Sequence, residues 1–221
     1  MNALMQDDST RMEPAMALAL AANFGSVAHW RQSFIGLGRA FGGGAGCLAL
    51  VFLPEAGALA HRWAADAAHV TGGGVLLLLL ATFDEAHPQG LEDFVERIDW
   101  AHVYERYQEA VHAASEAFGA TQDEAAQAPI VLDVRRAGVF AGAKAMLPGA
   151  RWCDPAAVAD WAAELPPGRE VLVYCVYGHE VGRATALRLR ALGVPARFLV
   201  GGFDAWQAAG RALQARPGAP S

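Results

Sequence analysis

The sequence has few charged residues and no apolar run long enough to cross a membrane. Only 18% of its residues are charged and 54% are hydrophobic, which excludes a disordered chain and predicts a well-buried globular protein. The leucine-rich run Val75–Ala81 has seven residues, too few to span a bilayer, and is predicted to be a core strand. The N-terminus lacks a basic segment followed by an apolar one, so we expect a cytoplasmic protein without membrane association.

Cysteine is also scarce. Cys47, Cys153 and Cys175 form neither a CxxC pair nor a metal-binding spacing, so free thiols in a reducing compartment are the simplest interpretation. The glycine-rich GGGAG at 42–46 is not followed by GK[ST], which excludes a phosphate-binding loop, and we interpret it as a turn into a strand. With 221 residues, the chain is long enough for two small domains.

One cysteine stands where a predicted strand ends and a predicted helix begins. Residues 171–174 (VLVY) are typical of a buried parallel strand, and Cys175, a short loop containing Gly178 and a helix from about Gly182 follow. In that arrangement the loop N–H groups and the helix N-terminus converge on the sulfur and stabilise a thiolate or a bound anion. The pattern predicts a nucleophilic sulfur that acts on an anionic substrate.

The next arginine is badly placed for phosphate hydrolysis. A phosphatase of the cysteine type has an arginine six positions after its nucleophile, where this chain has Val181. The nearest arginine, Arg183, is eight positions after Cys175. The spacing therefore disfavours a phosphatase.

The region Pro129–Leu213 resembles the rhodanese (sulfurtransferase) family. Four motifs carry the resemblance, and they occur in the family's order: LDVR at 132–135, PGA at 148–150, C-x-x-G from Cys175 and GGFDAW at 201–206. The family usually has HIPGA at the turn, whereas here Met146 and Leu147 precede the proline, so no histidine role carries over. The resemblance implies that Cys175 takes a sulfane sulfur from a small anionic donor such as thiosulfate. The resulting persulfide would pass that sulfur to a thiol or cyanide acceptor.

The resemblance also implies which residues bind the substrate. The active-site loop would supply an N–H cradle, and its members are Val176, Tyr177, Gly178, His179, Glu180 and Val181. His179 and Glu180 either tune Cys175 and contact the acceptor or are solvated side chains. Arg183, in the first turn of the following helix, either draws the anionic donor or has a plain surface role. Cys175 itself could be a small buried hydrophobe, but the loop and helix after it favour catalysis.

Asp133 and Arg135 are the expected supporting residues. Asp133 either anchors the active-site loop or Arg135, or it has a direct role in the reaction. Trp206 is interpreted as core packing.

Charge is divided unevenly along the chain. From residue 129 onward there are eleven basic and seven acidic residues, whereas the first 128 residues hold six basic and sixteen acidic ones. A basic catalytic half suits a small anionic donor, and an acidic first half argues against nucleic acid as a partner. Arginines that simply decorate exposed helix faces would explain much of the same count.

The first half resembles a second family. A helix is predicted from Pro14, and a second one from the N-cap Ser26 to Phe41. Four segments in order, FGSVAHWRQSF, GGGAGCLALVF, LAHRWAADAAH and IDWAHVYERY, make residues 18–113 similar to the C-terminal α/β domain of iron/manganese superoxide dismutase. That family pairs partly through this domain, so the resemblance implies a homodimer.

The resemblance does not extend to the metal site. The helical hairpin that carries two histidine ligands in the family has no counterpart, and where its D-x-W-E-H-A-Y motif belongs the chain reads ATFDEAHPQG. Asp84, Glu85 and His87 could form only a weak adventitious site, and the other histidines lack ligand spacing. We therefore expect no metal and no cofactor, and a dismutase-like scaffold that pairs two chains or recognises a partner.

The expected organisation is a flexible tail over 1–17, a dismutase-like α+β domain over 18–118 and a linker over 119–128. A rhodanese domain over 129–214 and a tail over 215–221 follow. Strands that alternate with helices predict an α/β fold with a parallel sheet, helices on both faces and Cys175 at a strand's carboxyl end.

A sulfurtransferase is the function that these patterns favour. One alternative is a non-enzymatic protein that binds an anion or senses oxidants through Cys175. Others are a metal-dependent superoxide dismutase and an oxyanion (chromate) resistance protein, although no particular residue supports the latter.

Overall fold

The computed structural model describes residues 11–41, 46–81 and 89–218, which form two compact units. The first unit runs to residue 53 and from 59 to 109, and the second contains 54–58 and the chain from 110 onward. Across these three ranges, no helix combines the length and the apolar character needed to cross a bilayer.

Two helices open the first unit, as the sequence predicted. Helix α1 is Pro14–Phe24 and helix α2 is Val27–Phe41. Ser26 caps α2, because its hydroxyl accepts a hydrogen bond from the His29 N–H at 3.0 Å. The expectation of a flexible tail over 1–17 is wrong for its last residues, since Met16 is fully buried within α1.

A three-stranded sheet with the order β2-β1-β3 follows. Its strands are β1 (Cys47–Leu53), β2 (Ala58–Ala64) and β3 (Val75–Ala81), and β1 and β3 are antiparallel. The first six residues of β1 are buried, which explains why CLALVFL is a continuous apolar run. Helices α3 (Gln89–Glu96) and α4 (Trp100–Ser115) complete this part of the chain, and the last residues of α4 belong to the second unit.

An aromatic cluster in the first unit encloses His61. The His61 ring is stacked on Phe24 at a centroid distance of 4.6 Å and meets the edge of Phe34 at 5.4 Å. Trp30 is buried beside it, with its own edge contact to Trp100 at 5.0 Å. Burial lowers the pKa of His61 to about 4, because a charged imidazole loses its hydration here.

The second unit is built on a parallel sheet with the strand order β4-β9-β8-β5-β7. Its strands are β4 (Gly119–Ala120), β5 (Val131–Asp133), β7 (Arg151–Trp152), β8 (Val171–Tyr174) and β9 (Ala196–Leu199). A small antiparallel pair consists of β6 (Ala145–Met146) and β10 (Gln214–Ala215). The helices are α5 (Gln122–Ala125), α6 (Ala137–Gly142), α7 (Val158–Ala162), α8 (Glu180–Ala191) and α9 (Gly202–Ala208).

Alternate residues of β8 face two separate cores. Val171 and Val173 pack with residues of α7 and α8, whereas Leu172 and Tyr174 pack with residues of α5 and α9. Helices therefore cover both faces of the sheet, and β8 is apolar along its whole length because both of its faces are buried. The predicted α/β class of this half and the α+β class of the first half are both confirmed.

The segment expected to be a linker, 119–128, contains a strand of the sheet and a short helix. Strand β4 pairs in parallel with β9, and helix α5 has a capping box in which Thr121 and Glu124 exchange hydrogen bonds. Arg197 of β9 donates to the Gly119 carbonyl at 2.7 Å and to Glu124 at 3.0 Å. Low hydrophobicity suggested a linker, but these hydrogen bonds and the burial of Ala120 and Ala125 in the core fix the segment.

The C-terminal tail was predicted to begin at residue 215, but the ordered part of the second unit extends beyond that residue. Ala215 pairs with Ala145 in the small sheet, and the Arg216 N–H donates to the Lys144 carbonyl at 3.0 Å. A two-residue strand has too little pattern to be recognised in the sequence.

The half-buried His61 imidazole makes the first unit sensitive to acid. In the unfolded chain a histidine has a pKa of about 6.5, so as the pH falls from 6.5 toward 4 protons bind the unfolded state first and stability is lost. We expect wild type to lose about 1–2 kcal/mol more than His61→Phe between pH 7.5 and pH 5, a value reduced because the ring is partly exposed. Urea titrations at both pH values measure this. The exposed-site variant His29→Gln should behave as wild type, and an unchanged acid response in His61→Phe would contradict the assignment.

Candidate functional site

Cys175 lies at the carboxyl end of β8, in the middle of the parallel sheet. It is 5% exposed, and residues 176–179 form a bent loop before α8 begins at Glu180. The helix thus starts two residues earlier than the predicted Gly182, because Glu180 and Val181 form its first turn rather than the end of the loop. Ligands bind at this edge of open α/β sheets, so the location agrees with a reactive centre.

Two glycines let the Cys175 loop pack directly against the turn before α9. Gly178 has a φ of +70°, and a Cβ on it would lie 2.7 Å from both the Leu199 oxygen and the Gly201 nitrogen. Gly202 has a φ of +60°, and its Cβ would lie 2.5 Å from the Gly178 nitrogen. Only glycine satisfies both the left-handed backbone and the close approach. These glycines, rather than side-chain packing, set the shape of the loop.

Backbone hydrogen bonds extend this contact. The Phe203 N–H donates to the Cys175 carbonyl and the Asp204 N–H donates to the Val176 carbonyl, both at 2.9 Å. With the carbonyls of Cys175 and Val176 turned toward the start of α9, N–H groups of the loop are left to face the sulfur. The loop is therefore preorganised by the backbone.

Burial raises the pKa of the Cys175 thiol, and hydrogen bonds from the backbone of Gly182, Gly178 and His179 oppose that shift. The negative charge of Glu180 raises this pKa further. In this geometry the thiol can donate to the His179 carbonyl, with the sulfur 3.9 Å from that oxygen. The predicted convergence of N–H groups on the sulfur is present, yet the resting group is a thiol because desolvation outweighs the amides. The same amides are positioned to stabilise a negative charge on this sulfur.

The Arg183 side chain braces the loop. Its Nε donates to the Gly178 carbonyl at 2.9 Å, its Nη1 donates to the Ser115 hydroxyl at 3.2 Å, and its guanidinium lies 4.2 Å from the centre of the Phe198 ring. The sequence suggested donor recruitment or a plain surface role for Arg183, and these contacts add a structural one. Recruitment of the donor stays a prediction.

The other loop side chains divide into exposed and buried. Tyr177 and His179 are exposed, with ring centroids 5.7 Å apart, and Val176 is half-buried. Glu180 is only 6% exposed, so the interpretation of a solvated carboxylate does not fit it. The Glu180 side chain therefore belongs to the buried surroundings of Cys175, and its charge acts on the thiol.

Two residues near the end of α4 were missed by the sequence interpretation. Ser115 is buried and accepts the hydrogen bond from Arg183, and the His112 ring lies 6.1 Å from the His179 ring. Burial first, then the charges of Arg183 and His179, lower the pKa of His112. Within the residues described, the buried Nε2 atom of His112 has no hydrogen-bond partner. The helix pattern gave no signal for either residue, because both occupy ordinary helical positions.

Asp133 and Arg135 form a buried pair under the site. Arg135 donates to both carboxylate oxygens of Asp133, with a shortest distance of 2.5 Å, and the Tyr174 hydroxyl donates to the same carboxylate at 2.8 Å. The Tyr174 hydroxyl also accepts from the Leu147 N–H at 3.2 Å, which fixes the PGA turn. Burial and the Asp133 charge raise the pKa of Tyr174. Breaking such a pair costs about 3–5 kcal/mol, so both residues support the site structurally.

The remaining candidates lie away from this centre. Trp206 is 5% exposed and packs in the core between the sheet and α9, as predicted. Among the residues of the three described ranges, no group of three or more His, Cys, Asp or Glu is arranged to hold a metal ion. Asp84, Glu85 and His87, the predicted weak metal candidates, lie outside these ranges.

Comparison with protein families confirms the resemblance predicted for the second half. Residues 116–209 match the family described as the rhodanese-like domain. The match begins before Pro129, in agreement with the inclusion of β4 in the sheet. A probable thiosulfate sulfurtransferase of known structure is similar with 30% identity and a TM-score of 0.38, over 44% of this chain and 47% of that one. Thiosulfate sulfurtransferase from Pseudomonas aeruginosa is similar with 27% identity and a TM-score of 0.34, over 38% of this chain and 16% of that one.

The first half is similar to an iron superoxide dismutase of Cupriavidus metallidurans. The two chains are 30% identical over 112 residues, which is 47% of this chain. The chain spans 57% of the length of that relative. The similarity falls where the dismutase resemblance was predicted.

A methyl group on Gly178 tests how the loop is held. We expect Gly178→Ala to lose about 2 kcal/mol or more of stability, because alanine is strained at positive φ and its Cβ would contact backbone atoms that cannot move aside. Opening of the loop should also make Cys175 react faster with an aromatic disulfide probe, followed by peptide mapping of the labelled thiol. In the control Gly138→Ala, a Cβ meets no atom within 4 Å, and we expect no loss. Equal stability and labelling in both variants would show that the close approach is not required.

Proposed function

We propose that this chain, whose residues 116–209 form a rhodanese-like domain, is a sulfurtransferase that carries sulfane sulfur as a persulfide on Cys175. The observation that supports it best is the convergence of backbone groups of Gly178, His179 and Gly182 on one buried sulfur at the carboxyl edge of the sheet. Amides in that position stabilise negative charge on a terminal sulfur without a cofactor.

The reaction has two displacement steps. The Cys175 thiol first loses its proton to a solvent base, and the thiolate attacks the outer sulfur of a donor such as thiosulfate. A bond between Cys175 and that sulfur forms, the sulfur–sulfur bond of the donor breaks, and sulfite leaves with the bonding electron pair. An acceptor thiolate or cyanide then attacks the outer sulfur of the persulfide. The product is a new persulfide or thiocyanate, and the Cys175 thiolate is restored.

Each element of the loop has a part in this scheme. The amides hold the negative charge of the thiolate and of the persulfide, and Arg183 keeps the Gly178 carbonyl turned away from the sulfur. The electrostatic attraction between Arg183 and Cys175 strengthens as the sulfur becomes charged. The Asp133–Arg135 pair and Tyr174 position the PGA turn through their hydrogen bonds.

For the first unit we propose a scaffold that pairs two copies of the chain in the cytoplasm. The support is the resemblance of residues 18–113 to the dismutase domain through which that family pairs. We expect the purified full-length protein to sediment as a dimer and to contain iron and manganese well below one equivalent. A monomer at all concentrations tested would contradict the pairing. Stoichiometric metal with dismutase activity would instead assign this unit to superoxide chemistry.

Mass spectrometry of the intact protein tests the sulfur transfer. After incubation with thiosulfate, wild type should gain the mass of one sulfur atom and lose it again on addition of cyanide or a thiol. Cys175→Ser should gain none, whereas Cys153→Ser should behave as wild type because Cys153 is packed in the core. The loading rate should rise with pH, since burial raises the pKa of the Cys175 thiol and the thiolate is the attacking form.

Two other results would contradict this proposal. Sulfur gain that persists in Cys175→Ser would place the persulfide on another cysteine. Absence of any gain in wild type, under reducing and metal-free conditions, would contradict the transferase and favour anion binding or oxidant sensing by Cys175.

A further inference from the structure

The Cys175 loop exposes an aromatic side chain. Tyr177, two residues after the cysteine, is 56% exposed. The exposed His179 ring is 5.7 Å from the Tyr177 ring. We call Tyr177 and His179 the rim.

The loop that carries the rim has little positive charge with which to bind an anion. Residues 176–181 contain no lysine or arginine, and their one carboxylate belongs to Glu180, which is buried. Arg183 is bound to the Gly178 carbonyl and to Ser115, so its charge acts on the loop backbone and the inner sulfur. A dianion held outside the loop would therefore meet no lysine or arginine side chain of residues 176–181.

A sulfur donor has two parts that meet different surfaces. The sulfur to be transferred must reach Cys175 and enter the amide cradle, whichever donor supplies it. The rest of the donor, which leaves after the transfer, stays outside at the rim. The cradle therefore does not distinguish donors, and the rim does. In thiosulfate the outer part is a sulfonate that departs as dianionic sulfite, whereas in an organic donor it carries a hydrocarbon group.

We propose that the rim selects a sulfur donor whose leaving group is organic, such as a low-molecular-weight persulfide, over inorganic thiosulfate. The proposal rests on the sulfur transfer proposed above. With a persulfide R–S–SH, the Cys175 thiolate attacks the outer sulfur, the bond between the two donor sulfurs breaks, and the thiolate RS⁻ leaves with the electron pair. The leaving thiolate takes a proton from solvent, and no external oxidant or reductant is needed.

Two stable donors of matched chemistry test the selection. Thiosulfate and benzenethiosulfonate both present a terminal sulfur on a sulfonyl centre, but the second replaces one oxygen by a phenyl ring and leaves as benzenesulfinate. The kcat/KM for loading of Cys175 would be measured for both donors by mass spectrometry. Each value is divided by the rate constant of the same donor with a small free thiol, which removes the difference in intrinsic reactivity.

We expect the corrected kcat/KM to favour benzenethiosulfonate by at least about tenfold. Tyr177→Ala should lower the preference by about three- to tenfold, the size of one aromatic contact. The matched control is Leu192→Ala, because Leu192 is 55% exposed but lies at the far end of α8. This control should keep the wild-type preference. Tyr177→Arg should shift the preference toward thiosulfate by about three- to tenfold, since it adds a cation at the rim.

The other possible results would overturn either the donor selection or the sulfur transfer itself. Equal corrected values for the two donors, or an equal effect of Tyr177→Ala on both, would overturn the selection while leaving sulfur transfer intact. Arg136 follows β5 at the same edge of the sheet, so a selective loss of thiosulfate loading in Arg136→Gln would place the donor's charge there and also overturn it. If wild type takes sulfur from neither donor, the transferase itself fails, which is a different result.

Discussion

The close approach of the Cys175 loop to the turn before α9 is the constraint on which the site depends. Gly178 and Gly202 both have positive φ. A Cβ on either residue would collide with backbone atoms of the other segment. With this contact in place, the carbonyls of Cys175 and Val176 are used by the α9 N–H groups, and amides are left to surround the sulfur. Arg183 and Ser115 hold the opposite side of the loop. The surroundings of the Cys175 sulfur are therefore set mainly by backbone contacts between the loop after β8 and the turn after β9.

Two opposing effects decide the state of Cys175. Removal from water favours the neutral thiol, and hydrogen bonds from three backbone groups favour the anion. In a resting site where desolvation prevails, the cysteine is protected from indiscriminate oxidation, because the thiolate is the reactive form. In the proposed persulfide the negative charge lies on the outer sulfur, one bond further out than in the thiolate.

The sequence predicted the parts of the fold that depend on apolar pattern. Strand β8, the LDVR segment and the cysteine at the sheet edge were recognisable, because a strand buried on both faces is a continuous apolar run and motif order is specific. Segment 119–128 was misjudged, because the hydrogen bonds of Thr121, Glu124 and Arg197 leave no hydrophobic signature and its core residues are only alanines. Ser115 and His112 were missed for a related reason. Their proximity to the loop is a tertiary fact, and helical periodicity carries no information about it.

Strand β4 affects how a fragment that contains only the rest of the second unit would behave. It is only two residues long, yet it is the outermost strand of the sheet and the neighbour of β9. A fragment cut at residue 129 would leave the outer N–H and C=O groups of β9 unpaired beside an apolar core. Such an open edge is a template for adding strands from other molecules, so the fragment would be prone to aggregate. Those few residues therefore cover the edge of the sheet as well as marking the boundary of the domain.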